Sequence, residues 1–113
     1  MEKLLSLNKD FLFKKAYAKG KSYVSRSVVL YSLKNADPHS TLLGITVSAK
    51  RGNAVKRTRM RRVIREAYRQ LYPTIKKGYI IVIVARSACL TAKSDTVRGE
   101  LASLINKAGL SAE

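Results

Sequence analysis

One stretch near the middle of the chain, residues 50–69, combines a high density of positive charge with a helical repeat of apolar residues. It reads KRGNAVKRTRMRRVIREAYR, and Glu66 is its only acidic residue. The apolar residues recur at the i, i+3, i+4, i+7 spacing of one helical face, at Met60, Val63, Ile64, Ala67, Tyr68 and Leu71. The pattern predicts a helix that buries one face in a core and carries arginines on the other.

The cationic face of this predicted helix is suited to phosphate groups. A guanidinium group presents a planar fork of donors that matches phosphate oxygens. Acidic residues four positions away, which would neutralise a solvated charged face, are almost absent. We therefore predict that a polyanion binds the basic residues of the stretch, which are Lys50, Arg51, Lys56, Arg57, Arg59, Arg61, Arg62, Arg65 and Arg69.

The composition narrows the kind of polyanion. The chain has 113 residues and a net charge of +16, which indicates nucleic acid or an anionic membrane as partner. No apolar run approaches the roughly 18 residues of a spanning helix, and the apolar face of the basic helix lacks Trp and Phe, which disfavours a membrane. The length favours a single domain over residues 1–113, and a hydrophobic content of 46% favours a folded chain over a disordered one.

The N-terminus and the cysteine content bear on the compartment. The segment MEKLLSLNKDF has no apolar run long enough for a secretory signal, so we expect a cytoplasmic protein. Cys89 is the only cysteine, which excludes an intrachain disulfide and a zinc site built from cysteines.

The remaining pattern predicts an α+β fold, with a small mixed sheet sandwiched by helices. Strands are predicted at residues 27–33, 41–48 and 79–86, the first two joined in a hairpin by the turn-rich residues 35–40. The basic helix lies between the second and third of these strands, which makes a βαβ crossover with parallel strands. Pro73 should end that helix.

Two more helices are predicted near the ends of the chain. The first has Asn8 as its N-cap and Gly20 as its stop, and it places Phe13 and Tyr17 on one face. These aromatics either belong to the core or, with the lysines beside them, form a stacking platform for unpaired bases. The last helix starts with Ser94 or Asp95 as its cap and stops at Gly109.

No pattern in the sequence indicates catalytic residues. The seven acidic residues are scattered one to an element, so local spacing places no acid/base pair. The single histidine, His39, lies in a predicted turn, and the chain has no glycine-rich phosphate loop and no metalloprotease motif. The residues alone therefore predict a nucleic-acid-binding protein without catalytic groups and without a bound metal.

At its centre the sequence resembles the protein component of bacterial ribonuclease P. The run Gly52-Asn53-Ala54-Val55, followed by Arg57-Thr58-Arg59 and by residues 61–66, is similar to that family's Arg-Asn-Arg signature helix. The order of the other predicted elements also matches over about residues 8–108. Thr58 stands where the signature has Asn, which keeps a hydroxyl but loses the second donor of an amide.

The resemblance implies an accessory subunit whose partner, the ribonuclease P RNA, performs Mg²⁺-dependent removal of the 5′ leader from precursor tRNA. It implies that Asn53 and Thr58 join the basic residues named above in facing the catalytic RNA. It also implies a cleft for the single-stranded leader, at Phe13, Tyr17, Tyr31, Thr46 and Ser48. The resemblance implies that no protein partner is required. It also implies a fold like the second domain of ribosomal protein S5, in which the βαβ crossover is left-handed.

Two alternatives remain open at this point. A structural RNA-binding protein, such as a ribosomal component, fits the composition and the basic helix equally well. A helix in a DNA major groove fits less well, because a helix held between two strands is less free to enter a groove.

Overall fold

The computed structural model describes residues 5–6 and 10–112, and in this part the chain forms five strands and three α-helices. In chain order the elements are β1 (Leu5–Ser6), α1 (Asp10–Lys19), β2 (Lys21–Val24), β3 (Val28–Lys34), β4 (Leu42–Thr46), α2 (Ala54–Leu71), β5 (Tyr79–Ala85) and α3 (Ser94–Lys107).

Strand β5 is the centre of a mixed sheet with the order β1-β4-β5-β3-β2. It runs antiparallel to β3 and parallel to β4, so that Ile83 lies between Leu30 and Ile45. The unbroken Ile/Val run of β5 suits this place, because its neighbours are strands on both edges and helices on both faces. The predicted mixed sheet, and the parallel pairing across the helical crossover from β4 to β5, are confirmed.

The predicted hairpin between β3 and β4 is wrong. The turn at residues 35–40 does form, with the Asp37 carboxylate accepting from the His39 N–H and the Ser40 hydroxyl, both at 2.9 Å. However, β5 lies between the two strands that this turn connects. The residues of the turn indicate only a local reversal of the chain. Which strands pair is decided by β5, which pairs with β3 along one edge and with β4 along the other.

Strand β2 was not predicted from the sequence. It pairs with β3 in an antiparallel hairpin, with Ser22 opposite Tyr31 and Val24 opposite Val29. The strand is short and its residues are mostly exposed, so the alternation of apolar and polar residues that marks a strand is weak.

The helices cover the two faces of the sheet. The side chains of β5 alternate, with Ile80 and Val82 packing in a cluster with α1 and Ile81 and Ile83 packing in the larger core beneath α2 and α3. The sheet is thus sandwiched by helices, as predicted.

The helix ends agree in part with the sequence. Helix α2 stops at Leu71, and Pro73 lies in the short 3-10 helix that follows, as expected. Helix α3 starts one or two residues earlier than predicted, because its cap residue is Lys93, without a capping side chain, and not Ser94 or Asp95. Gly109 follows the helix in the left-handed region at φ 71°. The predicted cap Asn8 lies outside the described residues.

None of the helices in the described part of the chain is both long enough and apolar enough to cross a lipid bilayer.

Candidate nucleic-acid interface

Helix α2 divides into a buried and an exposed face, as its apolar repeat predicts. Met60, Ile64, Ala67 and Tyr68 are buried in the core beneath the sheet. On the opposite side lie the exposed arginines Arg59, Arg62, Arg65 and Arg69. This side of the helix therefore carries a row of guanidinium groups outward, with Glu66 as the acid among them.

Asn53 starts α2 as its N-cap. Its side-chain oxygen accepts the backbone N–H of Lys56 at 2.9 Å, which satisfies one of the free donors of the first turn. Its amide NH₂ has no such part in the cap. Asn53 is exposed, so this donor faces outward at the positive end of the helix dipole.

Two of the basic residues predicted to bind RNA also make contacts inside the protein. Arg51 donates to the Ser87 hydroxyl at 2.7 Å. Arg59 donates to the carbonyl oxygens of Leu90 at 2.9 Å and Ala92 at 3.4 Å. These two arginines tie the start of α2 to the segment that follows β5, a role that no local pattern predicts.

The other predicted residues around the signature differ in exposure. Lys50, Lys56 and Thr58 are exposed, while Arg57 and Arg61 are half-buried along one flank of α2. The Nε atom of Arg57 is buried without a hydrogen-bond partner in the part of the chain that the structure describes. The two flank arginines therefore reach solvent only with part of their side chains.

A second cluster lies on the other face of the sheet, beside α1. The rings of Tyr17 and Tyr31 meet edge to face with centroids 5.0 Å apart. The Tyr17 hydroxyl is hydrogen-bonded to the Thr46 hydroxyl at 2.8 Å, which links α1 to β4 across the sheet surface. Tyr17 remains 39% exposed, so the cluster presents an aromatic edge and two hydroxyl groups to solvent.

Phe13 and Ser48, also predicted to line this cleft, both make contacts that support the fold. Phe13 is half-buried and packs on the small core formed by Ala16, Ile80 and Val82. The Ser48 hydroxyl accepts the Lys50 N–H at 3.2 Å and thereby caps a short 3-10 helix. Ser48 is exposed where the chain passes from β4 toward α2, and so lies between the two predicted surfaces.

Two exposed apolar side chains near this face were missed by the sequence reasoning. Phe11 on α1 is 61% exposed and Val24 at the end of β2 is 58% exposed. Phe11 had a usable signal, since it is a third aromatic in the same lysine-rich helix. Val24 had none, because β2 itself was not predicted.

Two of the described acidic residues, Asp37 and Glu100, accept hydrogen bonds within the protein. Burial raises the pKa of Glu100, but hydrogen bonds from Ser25 and Ser27 outweigh it and hold that pKa below its usual range. Hydrogen bonds from His39 and Ser40 lower the pKa of Asp37. Over residues 5–6 and 10–112, no three His, Cys, Asp or Glu side chains come together as a metal-binding group.

Comparison with known proteins gives a consistent result. The family model described as Ribonuclease P matches residues 1–109. The ribonuclease P protein component of Symbiobacterium thermophilum is 36% identical, covering 97% of this chain and 96% of that protein. The same component of Clostridium acetobutylicum is 40% identical, covering 92% and 88% of the two chains.

Solved structures show the same fold. The RNase P protein of Staphylococcus aureus superposes with a TM-score of 0.83 at 30% identity, covering 96% of this chain and 98% of that one. The RNase P protein of Thermotoga maritima gives a TM-score of 0.76 at 31% identity, with 94% and 97% covered. The predicted α+β class is thereby confirmed.

Proposed function

The chain belongs to the ribonuclease P protein family, and on that premise we propose that it holds the partner RNA and the precursor tRNA leader on opposite faces of its sheet. Membership makes it an accessory subunit of a ribonucleoprotein endonuclease, with the ribonuclease P RNA as partner. It also decides against the alternative of a ribosomal component. Which residues bind which RNA is the proposal.

The partner RNA binds the outer face of α2. Arg62, Arg65 and Arg69 are exposed there without an opposing acid nearby except Glu66, which accepts a hydrogen bond from Gln70 at 3.3 Å. Phosphates that replace condensed counterions at these groups supply affinity that depends on salt. The Asn53 NH₂ and the free N–H groups of the first turn add donors at the helix N-terminus.

The leader binds the face of the sheet beside α1. The observation that carries this assignment is the cluster of Tyr17, Tyr31 and Thr46, in which two aromatic rings and a hydroxyl pair lie on a half-open sheet surface. Stacking on aromatic rings accepts every base, which suits a single strand of variable sequence. Lys14 and Lys15 are exposed on α1 and supply positive charge for the leader phosphates.

We assign cleavage of the phosphodiester bond to the RNA with Mg²⁺, and we assign no ligand of that metal to this chain. Its net charge of +16 acts instead by screening repulsion between the two RNAs. We therefore expect the protein to lower the Mg²⁺ concentration that cleavage needs.

Cleavage of precursor tRNA by ribonuclease P RNA at low Mg²⁺, with and without the protein, tests this function. Substrates with a long leader and with almost none are compared. The protein should restore cleavage and favour the long leader. If the protein binds the RNA but changes neither the rate nor the leader preference, the assignment of the sheet face to the leader is wrong.

A further inference from the structure

Three exposed residues in the first two turns of α2, Ala54, Val55 and Thr58, are uncharged, and the phosphate-binding role does not explain them. At 100° per residue, Val55 lies opposite the buried face, on the same side as Arg62. Thr58 lies between Arg62 and Arg65 around the helix, and Ala54 lies toward the flank. Val55 is 78% exposed. A single exposed valine is ordinary, but this one stands where a phosphate-binding helix would gain most from another cation.

These residues line a depression on the protein surface. It is open to solvent, with a volume of about 420 Å³, and all of its lining residues belong to α2. The walls comprise two apolar side chains, one hydroxyl and two guanidinium groups, from Ala54, Val55, Thr58, Arg59 and Arg62. A surface that is apolar in the middle and cationic at its rim matches a nucleotide, which has a flat base and a charged phosphate.

Arg59 is fixed in a way that suits stacking. Its terminal nitrogens donate to the carbonyl oxygens of Leu90 and Ala92, and such hydrogen bonds lie in the plane of the guanidinium group. The in-plane donors are thus partly occupied inside the protein, while the planar faces remain for a base. Unpaired bases in RNA stack on guanidinium planes as well as on aromatic rings.

Arg62 is placed differently. It is exposed, and in the described part of the chain its guanidinium group makes no hydrogen bond or ion pair with another residue. All its donors are available for a phosphate next to the base. Thr58, one turn before Arg62 on the same side of α2, offers a hydroxyl that donates or accepts at a base edge.

We propose that this depression receives one unpaired base of the ribonuclease P RNA, stacked on Arg59 and against the methyl groups of Val55, with Arg62 on an adjoining phosphate. The proposal rests on the assignment of α2 to the partner RNA and adds a base-binding subsite to it. The cationic rim disfavours a protein partner with an ordinary apolar patch, because desolvating unpaired guanidinium groups is costly.

The test is binding of purified ribonuclease P RNA alone by Val55→Ala over a range of salt concentrations. Removing two methyl groups that the base would bury should weaken binding about 14-fold, at roughly 0.8 kcal/mol per group and 1.4 kcal/mol per tenfold change. The slope of log K against log salt should not change, since no cation is lost. Thermal stability should not fall, because alanine has the higher helix propensity and Val55 is exposed.

Three further variants make the result specific. Thr96→Ala is the matched control, since Thr96 is also an exposed β-branched residue in the first turn of a helix, α3, and should bind as the unmodified chain does. Arg62→Gln should reduce the salt slope by about 0.7 to 0.9. Arg59→Lys keeps the charge but lacks the plane, and should weaken binding without a change of slope.

Chemical probing of the RNA gives a second readout. One unpaired base should be protected from a base-methylating reagent by the unmodified protein and by Thr96→Ala, and exposed again with Val55→Ala. If Val55→Ala binds as tightly as the control, or if no base changes reactivity, the subsite does not exist. Both outcomes leave leader-dependent stimulation of cleavage intact, so failure here is distinguishable from failure of the proposed function.

Discussion

The carboxylate of Glu100 on α3 accepts two hydrogen bonds from Ser27, one from the backbone N–H at 2.7 Å and one from the hydroxyl at 2.8 Å. Ser27 is 2% exposed and lies in the turn between β2 and β3, 73 residues away in the chain. The Glu100 side chain thus accepts the hydrogen bonds of a buried turn and joins the last helix to the β2–β3 hairpin at the edge of the sheet.

Replacing Glu100 by Ala should lower the free energy of unfolding by about 1–3 kcal/mol, because the buried Ser27 groups lose their acceptor. Urea unfolding at neutral pH measures this. Glu100→Gln, which keeps one acceptor oxygen, should cost less. Equal stabilities of the unmodified chain and Glu100→Ala would show that the two hydrogen bonds contribute nothing net.

The stability of the protein should also fall in acid. The folded pKa of Glu100 lies below its ordinary value of 4.5, so its contribution is fully present above that pH and is lost as the pH falls through the folded pKa. Unfolding measured between pH 6 and pH 3 should show a smaller loss for Glu100→Gln than for the unmodified chain. Asp37 contributes in the same direction, so the loss in the variant is reduced but not abolished.

Asn53 should act on RNA binding mainly through the helix it caps. Asn53→Ala removes the acceptor for Lys56 N–H and should destabilise the protein by about 1 kcal/mol. Asn53→Ser restores a capping oxygen, and we expect it to recover both the melting temperature and most of the affinity for ribonuclease P RNA. Recovery of stability without recovery of affinity would instead assign the amide NH₂ a direct contact.

Arg65 and Arg59 should respond differently to the same substitution. Arg65 is exposed on α2, so Arg65→Gln should lower the salt slope of RNA binding by up to about one unit and leave the melting temperature unchanged. Arg59→Gln removes the contacts to Leu90 and Ala92 and should cost on the order of 1 kcal/mol of stability. Thermal melting beside a salt titration separates the two effects.

The two tyrosines should matter for the leader through their rings. Tyr17→Ala is expected to weaken binding of a single-stranded leader by about 1–3 kcal/mol, whereas Tyr17→Phe, which loses only the hydrogen bond to Thr46, should cost much less. Tyr31→Ala should behave like Tyr17→Ala. A Tyr31→Ala variant that melts earlier but binds the leader normally would make Tyr31 a core residue only.

The sequence predicted those parts of the molecule that depend on neighbours along the chain. The apolar repeat located α2 and its buried residues, and the unbroken run of β5 located a strand covered on both faces. It failed where distant residues decide the outcome. Nothing near residues 35–40 indicates that β5 separates the strands they connect, and nothing near Arg51 or Arg59 indicates their partners Ser87 and Leu90, more than 30 residues later.

In the candidate site, too, local sequence patterns identified some residues, while contacts between distant residues were not predicted. The cations of α2 and the aromatics of α1 were identified by residue type and spacing. The contact of Tyr17 with Thr46, and the depression around Val55, required the packing of elements against each other and the position of side chains on a folded surface.

The place of β5 in the sheet also governs when the chain can fold during its synthesis. Residues 79–85 are made after β3 and β4, yet in the sheet as described they lie between those two strands and pair with both. Until β5 leaves the ribosome, the nascent chain holds an unfinished sheet and most of its arginines. It must therefore avoid both aggregation and premature contact with ribosomal RNA until the last third of its sequence arrives.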